Sequence, residues 1–141
     1  MSATQFRQLA RRIMTEAHPP GHPSQDVAAS ADRIYATWLT SLSAILGETG
    51  SMALFRRSLR LTEATFPLFS AARDAHVNAM LSAVSTCLHV QDANVAQEAA
   101  VELLAIHLEL LTTFIGQRLT EQLVRETWPD LSIPTREEHH A

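Results

Sequence analysis

The helical stretch from Asp92 to Trp128 changes its apolar face at Gly116. At about 100° per residue, the apolar residues before the glycine share one wide face, opposite a stripe of polar ones. After the glycine, the apolar residues centre on the side of the helix where the polar stripe lay. The earlier apolar set is Ala96, Ala100, Leu103, Leu104, Leu110, Leu111 and Phe114, the stripe is Glu98, Glu102, Glu109 and Thr112, and the later apolar set is Leu119, Leu123 and Val124. The sequence therefore predicts a bend near Gly116, with the two apolar sets meeting different surfaces.

The rest of the chain also carries apolar residues at helical spacing, and no run alternates as a strand would. We expect helices from about Ser2 to Ala17, from Ser24 to near Gly47, from Ser51 towards Pro67, and from there to about His89. Pro67 ends one helix or begins the next, because proline is accommodated in a first helical turn. The predicted fold is all-α: a bundle of four to five antiparallel helices with a long C-terminal helix over about 92–128.

A chain of 141 residues fits one domain with a sizeable core. We expect residues 1–129 to form a single helical bundle domain. A tight turn at residues 47–50 connects the second and third predicted helices. Residues 130–141 form a short tail with little to bury, which we expect to be poorly ordered. The predicted inward residues are Val27, Ala31, Ile34, Tyr35, Trp38, Leu42 and Ile45 on the second helix and Val77, Met80, Leu81, Val84 and Leu88 on the fourth.

Composition excludes several classes of function. The net charge of −4 works against nonspecific nucleic-acid binding, which needs a basic surface. All basic side chains are arginine, so lysine-based chemistry such as Schiff-base catalysis is excluded. No apolar run reaches the ~20 residues that a membrane span needs. The single cysteine, Cys87, excludes an intrachain disulfide and fits a reducing compartment, so we expect a cytoplasmic protein.

His107 lies in the middle of the apolar face of the long C-terminal helix. Four roles are open to such a histidine: a ligand contact, a metal ligand, a phospho-acceptor, or a core residue bonded to a neighbouring helix. Within the predicted helices no HExxH, HxxxH or ExxH spacing occurs, so we expect neither a metal site nor a cofactor. A pocket for a small apolar ligand would be lined by Tyr35, Trp38, Phe114 and His107.

The predicted bundle resembles phosphotransfer domains in helix content and length. The accepting histidine of that family typically lies in an HxxKG-like motif. His76, His89 and His107 each lack a basic residue three positions on and a glycine after it. The resemblance is therefore architectural, and it implies at most a signalling bundle that presents a surface histidine to a receiver domain.

Arginines on the first and third predicted helices form a candidate anion patch. Arginine binds phosphate or carboxylate through a bidentate fork. The patch comprises Arg56, Arg57 and Arg60, with Arg7, Arg11 and Arg12 added if the two helices adjoin. The alternative is a pair of solvated faces, bridged by Glu63 or Glu16.

The favoured function is a protein–protein interaction or regulatory module without catalytic activity, since the chain has no nucleophile elbow and no glycine-rich phosphate loop. It acts by self-association as a homodimer, or by docking a helix of another protein, because the C-terminal helix presents two opposed apolar faces. The predicted interface residues are Leu103, His107, Leu110, Phe114, Arg118, Leu119 and Leu123. The alternatives are the apolar-ligand bundle and the phosphotransfer-like signalling bundle.

Overall fold

The computed structural model describes residues 1–17 and 27–131, and the regular elements within them are all helical. The helices are α1 (Ala3–Glu16), α2 (Val27–Glu63), α3 (Ser70–Arg73), α4 (Met80–His89), α5 (Ala93–Ile115) and α6 (Gln117–Thr127), with 3₁₀ turns at Pro67–Phe69 and Val77–Ala79. The predicted all-α bundle is confirmed. The predicted helix start at Ser24 and the predicted tail beyond residue 131 lie outside the described residues.

Helix α1 begins with a capping box. The amide of Gln5 donates to Ser2 Oγ at 3.2 Å, and the amide of Ser2 donates to Gln5 Oε1 at 2.7 Å. These two bonds satisfy backbone donors that a helix start leaves unpaired. The buried face of α1 consists of Phe6, Leu9, Ala10, Ile13 and Met14. This face packs mainly on α5.

Two ion pairs align α1 with α5. Arg7 pairs with Glu102 at 3.1 Å, and Arg11 pairs with Glu98 at 2.6 Å. The later arginine of α1 pairs with the earlier glutamate of α5, so the two helices are antiparallel. The N-terminal part of the predicted glutamate stripe therefore faces the arginines of α1, not bulk solvent alone.

Gly47 and Gly116 interrupt their helices with nearly the same backbone geometry. Gly47 has φ 78° and ψ 161°, and Gly116 has φ 90° and ψ 160°. This region is essentially restricted to glycine, because a Cβ would clash with the backbone. The predicted bend at Gly116 is confirmed, and it divides the predicted long helix into α5 and α6. The predicted turn over residues 47–50 is wrong, since α2 kinks at Gly47 alone and Gly50 is helical.

Both kinks fold the chain back on itself. The rings of Tyr35 and Phe55 lie 5.6 Å apart, although a straight helix would separate these positions by about 30 Å. Across the second kink, the hydroxyl oxygens of Thr112 and Thr120 are 3.1 Å apart, where a straight helix would give about 12 Å along its axis. Each kinked stretch is therefore a helical hairpin with a glycine at its corner.

The two corners lie at the same end of the bundle. Tyr35 donates to the carbonyl of Ala100 at 2.7 Å, and Trp38 contacts His107, so the first half of α2 runs parallel to α5. Gly47 follows Trp38 by nine residues, and Gly116 follows His107 by nine. At the helical rise, both glycines lie about 14 Å beyond this contact in the same direction. We call this end of the molecule the kink end.

Three residues predicted to face the core are exposed instead: Ile45, Val77 and Phe114. Ile45 and Phe114 each come two residues before a kink glycine, at the point where the chain turns back. Val77 lies in a 3₁₀ turn, so the helix predicted from Pro67 to His89 is wrong over its first half. There the carbonyls of Arg73 and Ala75 accept hydrogen bonds from the Arg56 side chain, and the predicted helix is interrupted.

Candidate functional site

Aromatic and polar side chains from four helical segments meet in one layer of the bundle. Phe55 and Ser58 lie on the returning half of α2, at the level of Trp38 and His107. Trp128, just after α6, stacks on Trp38 with the ring centroids 5.6 Å apart and the planes 11° apart. We call these five residues the central layer. Trp128 is half-buried and forms its outer wall.

Ser58 links His107 to the backbone of α2. Nδ1 of His107 lies 3.1 Å from Ser58 Oγ, and that oxygen lies 2.9 Å from the carbonyl oxygen of Leu54. When the single hydroxyl proton of Ser58 goes to Leu54, Nδ1 carries the imidazole proton and donates it to Ser58; when it goes to Nδ1, the imidazole proton is on Nε2. Burial lowers the pKa of His107 to about 3. The ring is therefore neutral near pH 7.

Two polar atoms of the central layer find no hydrogen-bond partner among the described residues. They are Nε2 of His107 and Nε1 of Trp38, and both side chains are buried. The rings contact edge to face, with centroids 6.2 Å apart at 85°. Nε1 of Trp38 is a donor, and Nε2 of His107 is an acceptor when the imidazole proton is on Nδ1. The central layer thus holds two unsatisfied buried polar atoms in adjacent rings.

Three of the four residues predicted to line a ligand pocket are buried near one another. Tyr35, Trp38 and His107 lie in the packed interior, whereas Phe114 is 68% exposed and lies apart from them. Tyr35 binds the carbonyl of Ala100, and burial raises the pKa of its hydroxyl well above the usual range. Three residues of the central layer were not predicted to lie near them: Phe55, Ser58 and Trp128. Ser58 belongs to a buried stripe of α2 that also carries Ser51 and Thr62, and those hydroxyls at helical spacing were the available signal.

The predicted interface residues divide into two groups. Leu103, His107 and Leu123 are buried within the chain, so their assignment to an outer surface is wrong. They belong to the buried interior of the bundle instead. Leu110 is half-buried, and the exposed members are Phe114, Arg118 and Leu119.

Large apolar side chains remain exposed at the kink end. They are Phe114 at 68%, Ile45 at 55%, Leu119 at 50% and Met1 at 39%. Met1 is placed there by its amino group, which donates to Oε1 of Gln117 at 3.0 Å. Glu48 and Arg118, next to the two kinks, are exposed charges of opposite sign. We call these four apolar residues and two charges the kink-end surface.

The predicted arginine patch is not assembled. Arg56 donates to the carbonyls of Arg73 and Ala75 at 2.5 and 2.8 Å, which leaves its guanidinium engaged in the fold. Arg7 and Arg11 pair with α5, Arg12 pairs with Glu16 at 3.6 Å, and Glu63 pairs with Arg73 at 2.9 Å. Arg57 and Arg60 are exposed on α2. The arginines therefore make separate contacts and do not converge on one anion site.

Replacing Arg56 by alanine should destabilise the fold more than replacing its neighbour Arg57. Arg56→Ala leaves two partly buried carbonyls with a lost partner, and we expect a cost of about 1–2 kcal/mol in the free energy of unfolding. Arg57→Ala removes an exposed side chain and should stay within about 0.5 kcal/mol of the original protein. Urea unfolding of both variants measures the difference. Equal costs would show that Arg56 does not hold the turn at residues 73–75.

Other titratable groups lie apart from the central layer. His76 and His89 are exposed, so a surface histidine of the kind that phosphotransfer requires is present. Cys87 is buried, and burial raises the pKa of its thiol. No cluster of three or more histidine, cysteine or acidic side chains with metal-binding geometry occurs in residues 1–17 and 27–131. None of the helices in those ranges is long and apolar enough to cross a membrane.

The fold and site define an all-α bundle of two glycine-cornered helical hairpins closed by an N-terminal helix. Comparison of the chain with protein-family models, with curated proteins and with solved structures found no match.

Proposed function

We propose that this chain is a protein–protein interaction module that forms a homodimer through its kink-end surface. The observation that carries the proposal is the exposure of Phe114, the largest of the exposed apolar side chains. A phenylalanine left in water at a helix end gains about 1.5–3 kcal/mol when it is buried, and aromatic residues are enriched at interfaces. We assign the module no catalytic role and place it in a reducing compartment such as the cytoplasm.

The composition of the kink-end surface suits contact with a second copy. Its apolar side chains come from both hairpins and from the N-terminus, and interfaces typically combine such a centre with a polar rim. Glu48 and Arg118 supply opposite charges in that rim. In a two-fold dimer each surface meets its own copy, so a rim with both signs allows Glu48 of one chain to approach Arg118 of the other.

We expect the protein to be a dimer at micromolar concentration and Phe114→Glu to make it a monomer. A glutamate in the centre of the interface would bury two like charges against each other, which weakens association strongly. Sedimentation equilibrium over a concentration series measures the effect. Leu119→Glu should weaken the dimer in the same direction.

Val90→Glu is the matched control. Val90 is 73% exposed, and it lies at the turn between α4 and α5, at the opposite end of α5 from Phe114. The same substitution there should leave the dimer intact. A monomeric parent protein in the same concentration range would refute the proposal. So would a loss of association in Val90→Glu equal to that in Phe114→Glu, because the surface would then be unspecific.

A further inference from the structure

We propose that the two copies of the dimer exchange helix α6 when the chain straightens at Gly116. This exchange rests on the proposed homodimer and specifies how its two chains connect. In the exchanged form, α5 and α6 join into one continuous helix over residues 93–127. The α6 part then leaves its own chain through the kink end and packs in the second copy, in place of that copy's α6.

The hinge for this exchange is a single residue. Helix α5 ends at Ile115, and α6 begins at Gln117. The amide of Gly116 donates to the carbonyl of Thr112 at 2.8 Å, and its own carbonyl accepts from the amide of Thr120 at 3.2 Å, so helical hydrogen bonds reach the glycine from both sides. A change in the backbone angles of this one residue converts the corner into helix, and glycine permits both conformations. Short hinges of this kind favour domain exchange between identical chains.

The contacts of α6 can be transferred as a unit. Its buried side chains are Thr120, Leu123 and Val124. The helix packs on α5 and α2, where Thr120 lies 3.1 Å from Thr112, and Trp128, directly after α6, stacks on Trp38. The α6 of a second copy would make each of these contacts with the same side chains, so the exchange loses none of them.

The exchange also fits the geometry of the proposed dimer. Gly116 lies at the kink end, so a straightened α6 leaves the molecule towards a second copy whose kink end faces it. In the continuous helix, Phe114, Ile115 and Leu119 lie within an arc of about 140°. Phe114 and Leu119 are 68% and 50% exposed in the folded-back chain. Where the two continuous helices cross, these side chains meet their counterparts, and their burial favours the exchanged dimer.

Gly47 does not offer an equivalent exchange, although its backbone geometry is nearly the same. The returning half of α2 carries Ser58, which contacts His107, and Arg56, which holds the turn before α4. Helices α3 and α4 follow this half and pack on it. Straightening at Gly47 would therefore displace much of the core, whereas straightening at Gly116 releases only the last helix that the structure describes.

A disulfide across the Gly116 corner distinguishes the two forms. In a Cys87→Ala background, Thr112→Cys and Thr120→Cys place two thiols where the hydroxyl oxygens are 3.1 Å apart. In the folded-back form, the bond closes within one chain. In the exchanged form, the two positions of one chain are about 12 Å apart along the helix, so each bonds to the second copy. Mild oxidation followed by denaturing electrophoresis without reductant separates the intrachain and interchain products.

We expect intrachain bonds to dominate in dilute protein, and the interchain share to grow with protein concentration and with incubation before oxidation. Gly116→Ala should raise the ratio of interchain to intrachain bonds at least about fivefold, because alanine strains the folded-back backbone and is favoured in a continuous helix. In dilute protein the exchanged dimer does not form, and the same strain then appears as lost stability. The matched control is Gly47→Ala, which introduces the same strain at the other corner and should leave the ratio unchanged.

Intrachain bonds alone, with and without Gly116→Ala, at concentrations where sedimentation shows a dimer would overturn the exchange and leave the dimer standing. An equal rise of the ratio in Gly116→Ala and Gly47→Ala would also overturn the exchange, because unfolding would then account for the interchain bonds. A monomer at every concentration would overturn the proposed dimer itself, and the exchange with it.

Discussion

His107 should lower the free energy of unfolding by about 1.4 kcal/mol for each pH unit below 6.5, down to about pH 3. Burial lowers the pKa of this histidine from 6.5 to about 3. Between these values the unfolded chain binds a proton on His107 that the folded chain does not bind. The contribution of His107 to stability is therefore fully present above pH 6.5 and is lost as the pH falls towards 3. Urea unfolding at a series of pH values, followed by circular dichroism, measures the slope.

His107→Phe should remove this contribution to the pH dependence. The groups that contact the ring are Ser58, Trp38 and Phe55, none of which titrates in this range. The matched control is His76→Gln, which replaces an exposed histidine and should keep the slope. A slope in His107→Phe equal to that of the parent would refute the assignment. An NMR titration gives a second reading, since the His107 ring should stay neutral at pH 5.

Alanine at either kink glycine should destabilise the protein, by about 1–3 kcal/mol for each substitution. At Gly47 and at Gly116 an added Cβ would meet no atom within 4 Å, so crowding by neighbours contributes nothing. The cost comes from φ values of 78° and 90°, which a residue with a Cβ adopts only under strain. Thermal and urea unfolding of Gly47→Ala and Gly116→Ala measure it.

Gly50→Ala is the control within the same helix. Gly50 is helical, and its added Cβ would lie 3.6 Å from the Cβ of Leu46, which is ordinary contact. Alanine is favoured over glycine in a helix by up to about 1 kcal/mol, so this variant should be more stable than the parent. If Gly50→Ala is as destabilised as Gly47→Ala, the kink does not lie at residue 47.

The bend at Gly116 was predictable because the apolar face of the sequence switches sides there. The kink at Gly47 was not located so closely. Glycines at 47 and 50 suit a four-residue turn as well as a one-residue corner, and only the backbone angles separate the two. Helical periodicity also fails near a helix end. Phe114 lies on the inward side of the wheel, but its ring is 68% exposed, two residues before the kink.

The central layer was predictable only in part. Periodicity shows that His107 faces inward, but it does not show which side chain it will meet there. Ser58 precedes His107 by 49 residues, and their contact depends on the sharp return of α2 at Gly47. The role of Trp128 depends in the same way on the return of α6. With both corners known, the layer is the set of residues about 8–12 positions from a corner glycine.

The pairing of α1 with α5 imposes an order on folding during synthesis. Each hairpin can close from neighbouring stretches of chain, as the contact of Tyr35 with Phe55 illustrates. Helix α1 has no such local partner among the described helices, because its main contact is α5, about 80 residues later. On the ribosome its apolar side, including Phe6 and Ile13, emerges well before the surface that covers it. In the cell, this helix would be the element most exposed to chaperones until translation has passed residue 115.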